Sequence, residues 1–135
     1  MEYVDVERAR SLPGLRLVLT AGVPGPWGEA AKGILRVKGI DYAPVRQTAA
    51  KVDPLLVAWT GQSNAPVAMY EDERPRSGWA EILFLAERLA PTPRLVPAAP
   101  RERAFMLGLC HEICGEHGLG WTRRLQLLAG IADAP

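Results

Sequence analysis

Short apolar runs separate longer stretches of helical spacing in the first ninety residues. The run LRLVLT (residues 15–20) is mostly apolar and rich in branched side chains, which predicts a buried strand. DYAPVRQ (41–47) predicts a second strand, which lies at a sheet edge or is irregular because Pro44 has no N–H to donate to a ladder. VAMY (67–70) predicts a third strand, and we expect a short fourth strand near Arg74.

Helical spacing lies between and after these runs. Pro26 suits the first position of a helix and Gly39 suits its end, with an apolar stripe at Ala30, Ile34, Leu35 and Val37. The segment 48–64 predicts a short helix or an irregular connection, because Pro54 breaks any longer helix. Residues 77–90 predict an amphipathic helix with Ser77 as N-cap. Its apolar face is Trp79, Ile82, Leu83, Ala86 and Leu89.

The order of these elements predicts an α/β fold. A strand–helix–strand start implies a parallel pair with a right-handed crossover, and the later strands joined by a tight turn imply an antiparallel pair. This is a thioredoxin-like, mixed four-stranded sheet with flanking helices. We divide the chain into a polar lead-in (1–13), this domain (14–90), a proline-rich linker (91–100) and a short all-helical segment (101–135).

Composition narrows the classes of partner. The 16 basic and 15 acidic side chains leave a net charge of +1, which provides no field to attract phosphates. The N-terminus MEYVDVERAR lacks the apolar run of a signal peptide, and no stretch reaches the roughly 20 apolar residues that a membrane helix needs. We therefore expect a cytoplasmic protein that binds neither nucleic acid nor membrane.

The segment CHEICGEH contains the two cysteines. Cys110, Cys114 and His117 recur at i, i+4 and i+7, so they could bind zinc or copper with a fourth ligand from elsewhere. The same helix needs an apolar face, and buried cysteine behaves as a small hydrophobe. Core packing is the favoured interpretation, with reduced thiols and no metal, since a disulfide within one helical turn has poor geometry.

Three motifs, in register, resemble the glutathione S-transferase superfamily over about residues 14–130. GPWGEAAKGIL (25–35) resembles the first helix of that family, which follows the active-site position. NAPVAMYEDE (64–73) resembles its V-P-x-L-x-D strand, whose proline is cis. FLAERLAPTPRLVPAAPRERA (84–104) is similar to its Y-L-x-E-R motif, linker and start of a helical second domain. The resemblance implies that residues 101–135 are an incomplete start of that domain.

The resemblance implies a catalytic position at Gly25, where the family has serine or cysteine. Pro26 and Trp27 follow it as in the family, and Trp27 is expected to line the electrophile's side. Thr20 is a second candidate hydroxyl donor, because some members use a hydroxyl from the end of the first strand. Thr20 can also be simply a strand residue, and Gly25 a turn residue with positive φ.

The resemblance also implies glutathione-binding positions. Pro66 falls at the cis proline, and the backbone N–H and C=O of Ala65 would pair with the cysteinyl unit of glutathione. Ser77 and Gly78 fall where the family has an acidic residue and a serine that grip the γ-glutamyl end, so the acidic residue is missing here. Ser77 can equally be only a helix cap.

Two functions remain open at this point. The first is a glutathione S-transferase-like homodimer that binds glutathione as co-substrate and transfers it to, or reduces, an electrophilic small molecule. The alternative is a non-catalytic interaction module that kept the fold and lost the chemistry, as the changes at Gly25 and at Ser77–Gly78 suggest. A role in metal sensing through Cys110 and Cys114 is a remote third.

Overall fold

The computed structural model describes residues 2–22 and 24–132. The chain forms two compact units, Met1–Pro93 and Arg94–Pro135. The division falls inside the segment 91–100, which the sequence predicts as a linker, and each unit is described here by itself.

The sheet of the first unit contains the three predicted strands. They are β1 (Leu15–Thr20), β2 (Ala43–Gln47) and β3 (Val67–Tyr70), in the order β2-β1-β3. β1 runs parallel to β2 and antiparallel to β3. The mixed sheet and the position of the Pro44 strand at its edge are therefore confirmed.

The predicted fourth strand is wrong for the described part of the chain. Near Arg74 a single residue, Arg76, pairs with Ala68 of β3, and the two exchange N–H···O=C hydrogen bonds of 3.0 and 2.8 Å. In an antiparallel ladder only alternate pairs exchange hydrogen bonds, so the next bonded pairs would be Arg74 with Tyr70 and Gly78 with Pro66. The Tyr70 carbonyl already accepts from the Glu73 N–H at 3.0 Å, and Pro66 has no N–H. Among the described residues the sheet has three strands, with an isolated bridge where the fourth strand would lie.

Four helices accompany the sheet: α1 (Val6–Ser11), α2 (Pro26–Lys38), α3 (Pro54–Thr60) and α4 (Trp79–Leu89). The polar lead-in, residues 1–13, contains α1, a helix that its sequence does not predict. The Asp5 side chain caps α1 by accepting a hydrogen bond from the Arg8 N–H at 2.8 Å, and the helix buries Val6 and Ala9. The short helix expected between β2 and β3 is confirmed as α3, which begins at Pro54.

β1 separates two hydrophobic clusters. Leu15, Leu17 and Leu19 pack on one side of the sheet with residues of α2 and α4. Val18 faces the other side, with residues of α1 and α3. This alternation along β1 is what a strand covered on both faces requires.

The side of α2 that is buried differs from the prediction. Val37, assigned to the apolar stripe, is 52% exposed, while Lys38 is buried. The Lys38 ammonium donates hydrogen bonds to the carbonyl oxygens of Ala90 (2.8 Å) and Pro93 (2.6 Å) and forms an ion pair with Glu87. Lys38 therefore joins the C-terminal ends of α2 and α4.

The second unit contains α5 (Pro100–Cys114) and α6 (Leu119–Ala132). The apolar face that the sequence leads us to expect on this helix (Phe105, Met106, Leu109, Cys110 and Ile113) is not a buried core, because Phe105, Leu109 and Ile113 are all exposed and α5 has no buried residue. None of the described helices is long and apolar enough to cross a membrane.

Candidate functional site

One edge of the sheet collects several of the predicted site residues. The parallel strands β1 and β2 end there at Thr20 and Gln47, and the antiparallel β3 begins there at Val67. The peptide before β3 and the N-terminus of α2, which follows β1, are carried to the same edge by the chain. The carboxyl ends of parallel strands are a frequent place for ligand binding in α/β folds.

The N-terminus of α4 lies at this edge as well. Arg76 is opposite Ala68 in an antiparallel pairing, so the chain after Arg76 runs back past the start of β3. Gly78, two residues further on, is thereby carried towards Pro66. Two helix N-termini, those of α2 and α4, therefore flank the start of β3.

The peptide between Ala65 and Pro66 is cis, as the resemblance implies. Within residues 2–22 and 24–132, neither the N–H nor the C=O of Ala65 has a hydrogen-bond partner. Ala65 is half-buried, and its backbone offers one donor and one acceptor at the edge. A buried or half-buried peptide group usually finds such partners, so a peptide-like ligand would complete this one.

Gly25 is the N-cap of α2 and has extended backbone, with φ −100° and ψ 142°. The alternative that Gly25 is needed for a positive φ is therefore wrong. A Cβ atom added at Gly25 would meet no atom within 4 Å, so serine or cysteine would fit there. Pro26 is exposed and Trp27 half-buried at the first two helical positions, as the motif predicts.

Thr20 lies at the edge, but its hydroxyl proton is already in use. The Thr20 hydroxyl donates to Gln47 Oε1 at 2.7 Å. The amide nitrogen of Gln47 donates to the carbonyl oxygens of Thr48 (2.8 Å) and Ser63 (3.3 Å), which fixes the orientation of the Gln47 amide. Thr20 can therefore accept a hydrogen bond from a ligand, whereas donating one would break its bond to Gln47.

Gln47 is a residue of this edge that the sequence analysis missed. It is 6% exposed and bridges the end of β1 to the segment that precedes the cis peptide. Its position in the sequence could have indicated a site residue, because Gln47 is the last residue of β2 and the parallel strand β1 also ends in a polar residue, Thr20.

The prediction that Ser77 is the N-cap of α4 is wrong, because Gly78 occupies that position. The carboxylate of Glu81 reaches back and accepts hydrogen bonds from the N–H groups of Ser77 (3.2 Å) and Gly78 (3.3 Å). Its other oxygen accepts from the Arg74 guanidinium at 2.6 Å. The Arg74 hydrogen bond, together with the two backbone donors, holds the pKa of Glu81 below its usual value.

The cysteines lie in the second unit, away from these elements in sequence, and neither forms a disulfide. His117 lies beyond the end of α5 and has φ +63°, so the predicted helical face shared by Cys110, Cys114 and His117 does not form. Among the described residues, no group of three or more His, Cys, Asp or Glu side chains could hold a metal ion.

The fold is similar to that of solved glutathione transferases. A Tau class glutathione S-transferase from mango, Mangifera indica, superposes with a TM-score of 0.64 at 22% identity, covering 90% of this chain and 52% of that one. A glutathione transferase homolog from sulfitobacter, with bound glutathione, gives 0.60 at 20% identity over 90% of this chain and 68% of that one.

A third structure is maleyl pyruvate isomerase, a bacterial glutathione S-transferase in the Zeta class. It gives a TM-score of 0.62 at 20% identity, covering 73% of this chain and 46% of that one. The chain thus spans about half the length of the mango protein and of the isomerase. No family model and no curated protein matches the sequence. The resemblance stated from the motifs is confirmed at the level of structure: this chain has the fold of the glutathione transferase superfamily.

Proposed function

We propose that this chain binds glutathione at the edge formed by Thr20, the α2 N-terminus, the Ala65–Pro66 peptide and the α4 N-terminus. The observation that carries the proposal is Ala65, a half-buried residue just before β3 whose backbone N–H and C=O have no partner among the described residues. The cysteinyl unit of glutathione has the complementary acceptor and donor. The solved sulfitobacter homolog with bound glutathione has the same fold, which supports the choice of ligand.

The α2 N-terminus would face the thiol of the bound tripeptide. A free thiol with pKa near 8.5 is only about 3% ionised at pH 7. A helix N-terminus favours an anion by about 0.3–1 kcal/mol, which lowers a pKa by roughly 0.2–0.7 units. The bound thiol would then be about 5–14% ionised at pH 7, a weak activation.

The lack of a side chain at position 25 explains why the bound thiol would be only weakly ionised. A hydroxyl there would donate to the thiolate and add about 1.5–3 kcal/mol, because one partner of the hydrogen bond is charged. Gly25 has no side chain, and the Thr20 hydroxyl already donates to Gln47. The proposed reaction is therefore slow transfer of glutathione to, or reduction of, an electrophilic small molecule that approaches from the side of Trp27.

The γ-glutamyl end of glutathione would compete with Glu81 at the N-terminus of α4. Its carboxylate would need the N–H groups of Ser77 and Gly78, which now bond to Glu81. Binding requires either that Glu81 moves away or that this end of the tripeptide stays loosely held. Affinity in the millimolar range is what this competition predicts.

A non-catalytic interaction module is the second candidate. Two observations favour it: Gly25 supplies no hydroxyl or thiol, and Glu81 fills the amides at which the γ-glutamyl carboxylate would bind. The two candidates differ in turnover rather than in fold. A module would show no reaction between glutathione and an aromatic halide above the rate without protein.

Calorimetric titration with glutathione tests the shared part of both proposals. We expect saturable heat at millimolar glutathione and a similar affinity for cysteinylglycine, which lacks the γ-glutamyl unit that Glu81 keeps from the α4 amides. No heat with either peptide would refute glutathione binding. Light scattering on the same sample tests the proposed homodimer, since a monomer at all concentrations would exclude it.

A further inference from the structure

Gln47 is a buried amide that binds three separate segments at the candidate site. It is the last residue of β2 and is 6% exposed. Its Oε1 accepts a hydrogen bond of 2.7 Å from the hydroxyl of Thr20, at the end of β1. Its Nε2 donates to the carbonyl oxygens of Thr48 (2.8 Å) and Ser63 (3.3 Å), and Ser63 lies two residues before Ala65. One side chain therefore connects the ends of both parallel strands with the segment that leads to Ala65.

The neighbours of the Gln47 amide fix its orientation. A flipped amide would place its oxygen against the carbonyl oxygens of Thr48 and Ser63, where three acceptors would meet without a proton. The observed orientation gives both carbonyl oxygens a donor, which is how buried polar groups are usually arranged. Oε1 therefore stays directed at Thr20, and the single proton of the Thr20 hydroxyl is committed to it.

Thr20 lies next to the backbone with which the cysteinyl unit of glutathione would pair. β1 and β3 are antiparallel, with Val18 opposite Val67, so the chain before β3 runs past the end of β1. Two further residues along each strand, this register carries Ala65 towards Thr20. A cysteinyl unit paired at Ala65 would therefore bring its sulfur near the Thr20 hydroxyl.

A hydroxyl whose proton is committed can only accept a further hydrogen bond. A neutral thiol has an S–H to donate to it, whereas a thiolate or another anionic sulfur group has none. We propose that Gln47 is a positioning residue that fixes the Thr20 hydroxyl as an acceptor, so that the site selects a neutral thiol over an anionic sulfur group. This inference rests on the proposed glutathione site and names the residue that determines the state of the sulfur bound there.

The test compares glutathione with glutathione sulfonate, whose sulfur group is permanently anionic and offers only acceptors. Calorimetry on the full chain at pH 7 gives both affinities, and the quantity compared between variants is the ratio of sulfonate affinity to glutathione affinity. Gln47→Met frees the Thr20 proton for the ligand and should raise this ratio about tenfold or more, the value of one hydrogen bond to a charged group. A merely structural role of Gln47 would change both affinities together, and the unchanged ratio would overturn the proposal.

Two further variants separate the hydroxyl from the amide. Thr20→Val keeps the shape of the side chain and should not lower the ratio, because the wild-type hydroxyl donates nothing to the ligand. The double variant, Thr20→Val with Gln47→Met, should have the ratio of Thr20→Val, since it has no hydroxyl to release. A tenfold lower ratio in Thr20→Val would show that the hydroxyl donates to the ligand despite Gln47. That result would overturn the proposal even if Gln47→Met does not fold.

Gln62→Met is the matched control. It makes the same chemical change in the segment before Ala65, where the backbone of Gln62 exchanges hydrogen bonds with the Thr60 hydroxyl, and it should keep the wild-type ratio. A tenfold increase in Gln62→Met would overturn the specific role of Gln47. If the wild type binds neither ligand, the proposed function fails and this inference fails with it. If glutathione binds and Gln47→Met leaves the ratio unchanged, only this inference fails.

Discussion

Two helices begin at the same edge of the sheet, and both have glycine as N-cap. In α2 the N-cap is Gly25 and the third helical residue is Gly28; in α4 the corresponding residues are Gly78 and Glu81. Gly28 has no side chain to reach back over its own first turn, and it packs close to Leu19. Glu81 does reach back, to the helix's own amides. The residue at the third position therefore determines whether the N-terminus is open to an anionic ligand or already holds a carboxylate.

This difference divides the proposed glutathione site into two parts. At the proposed site the α2 end, which has no side-chain cap among the described residues and is here called the open end, would face the thiolate. The α4 end, called the filled end because it holds Glu81, would oppose the γ-glutamyl carboxylate. The proposal therefore predicts weak binding of glutathione and weak activation of its thiol. A substitution at the α2 N-terminus should change mainly the pKa of the bound thiol, and one at the α4 N-terminus mainly the affinity for glutathione.

The largest expected effect is a loss of stability at Lys38, which joins the C-terminal ends of α2 and α4. Lys38→Met should lower the free energy of unfolding of the first unit by about 3–5 kcal/mol, because it removes a buried ammonium from Glu87 and two carbonyl oxygens. Lys32→Met, on the same helix, breaks only the partly exposed pair with Glu29 and should cost about 0.2–0.5 kcal/mol. Urea denaturation measures both, and equal losses would show that Lys38 does not hold α2 against α4.

Restoring a hydroxyl at the open end should strengthen activation. Gly25→Ser should lower the pKa of the bound glutathione thiol by roughly 1–2 units, the equivalent of one charge-assisted hydrogen bond. The pH dependence of the ultraviolet absorbance of the bound thiolate measures this pKa. Gly33→Ser is the matched control, since it also adds a Cβ where no atom lies within 4 Å, but in the middle of α2. An unchanged pKa in Gly25→Ser, with glutathione bound, would contradict the role of position 25.

Emptying the filled end should strengthen binding. Glu81→Ala frees the amides of Ser77 and Gly78 and should raise glutathione affinity about 2- to 5-fold, the value of about 0.3–1 kcal/mol for an anion at a helix N-terminus. Asp72→Ala removes one exposed carboxylate from the same connection and should leave the affinity unchanged. Calorimetry compares the two, and equal affinities would show that Glu81 does not compete with the ligand.

The smallest expected effect is a pH dependence of stability at the filled end. The folded pKa of Glu81 lies below its unfolded value of about 4.3, so its contribution is complete above that pH and is lost as pH falls through the folded pKa. The difference in unfolding free energy between wild type and Glu81→Gln should therefore shrink on acidification below about pH 4. A difference that stays constant between neutral and acidic pH would contradict this assignment.

The sheet and its helices were largely predictable, because local patterns determine them. LRLVLT has too few polar positions for a surface helix and gave β1 its observed bounds. The fourth strand failed because the turn after Tyr70 on one side and Pro66 on the other leave only the pair of Arg76 and Ala68 hydrogen-bonded. α1 was missed because six residues with two buried side chains look polar in sequence. Short elements depend on tertiary contacts more than on their own pattern.

The site was predictable only in outline. The motif placed Gly25 and the cis Pro66 from the sequence, but the role of Glu81 depended on geometry. Its signal, a glutamate three residues after Gly78, is that of a capping box, which becomes visible only once Gly78 rather than Ser77 is taken as N-cap. The burial of Lys38 could not be anticipated, because its acceptors lie more than fifty residues away in sequence.

The most direct test of the account is an amide NMR titration of the full chain with glutathione. Binding at the proposed edge predicts saturable shifts of the Ala65, Gly28 and Gly78 amides, with smaller shifts at Leu15 and Ala43, at the opposite ends of β1 and β2. Saturable shifts confined to other residues, or none at millimolar glutathione, would contradict the central claim that this edge of the sheet binds the tripeptide.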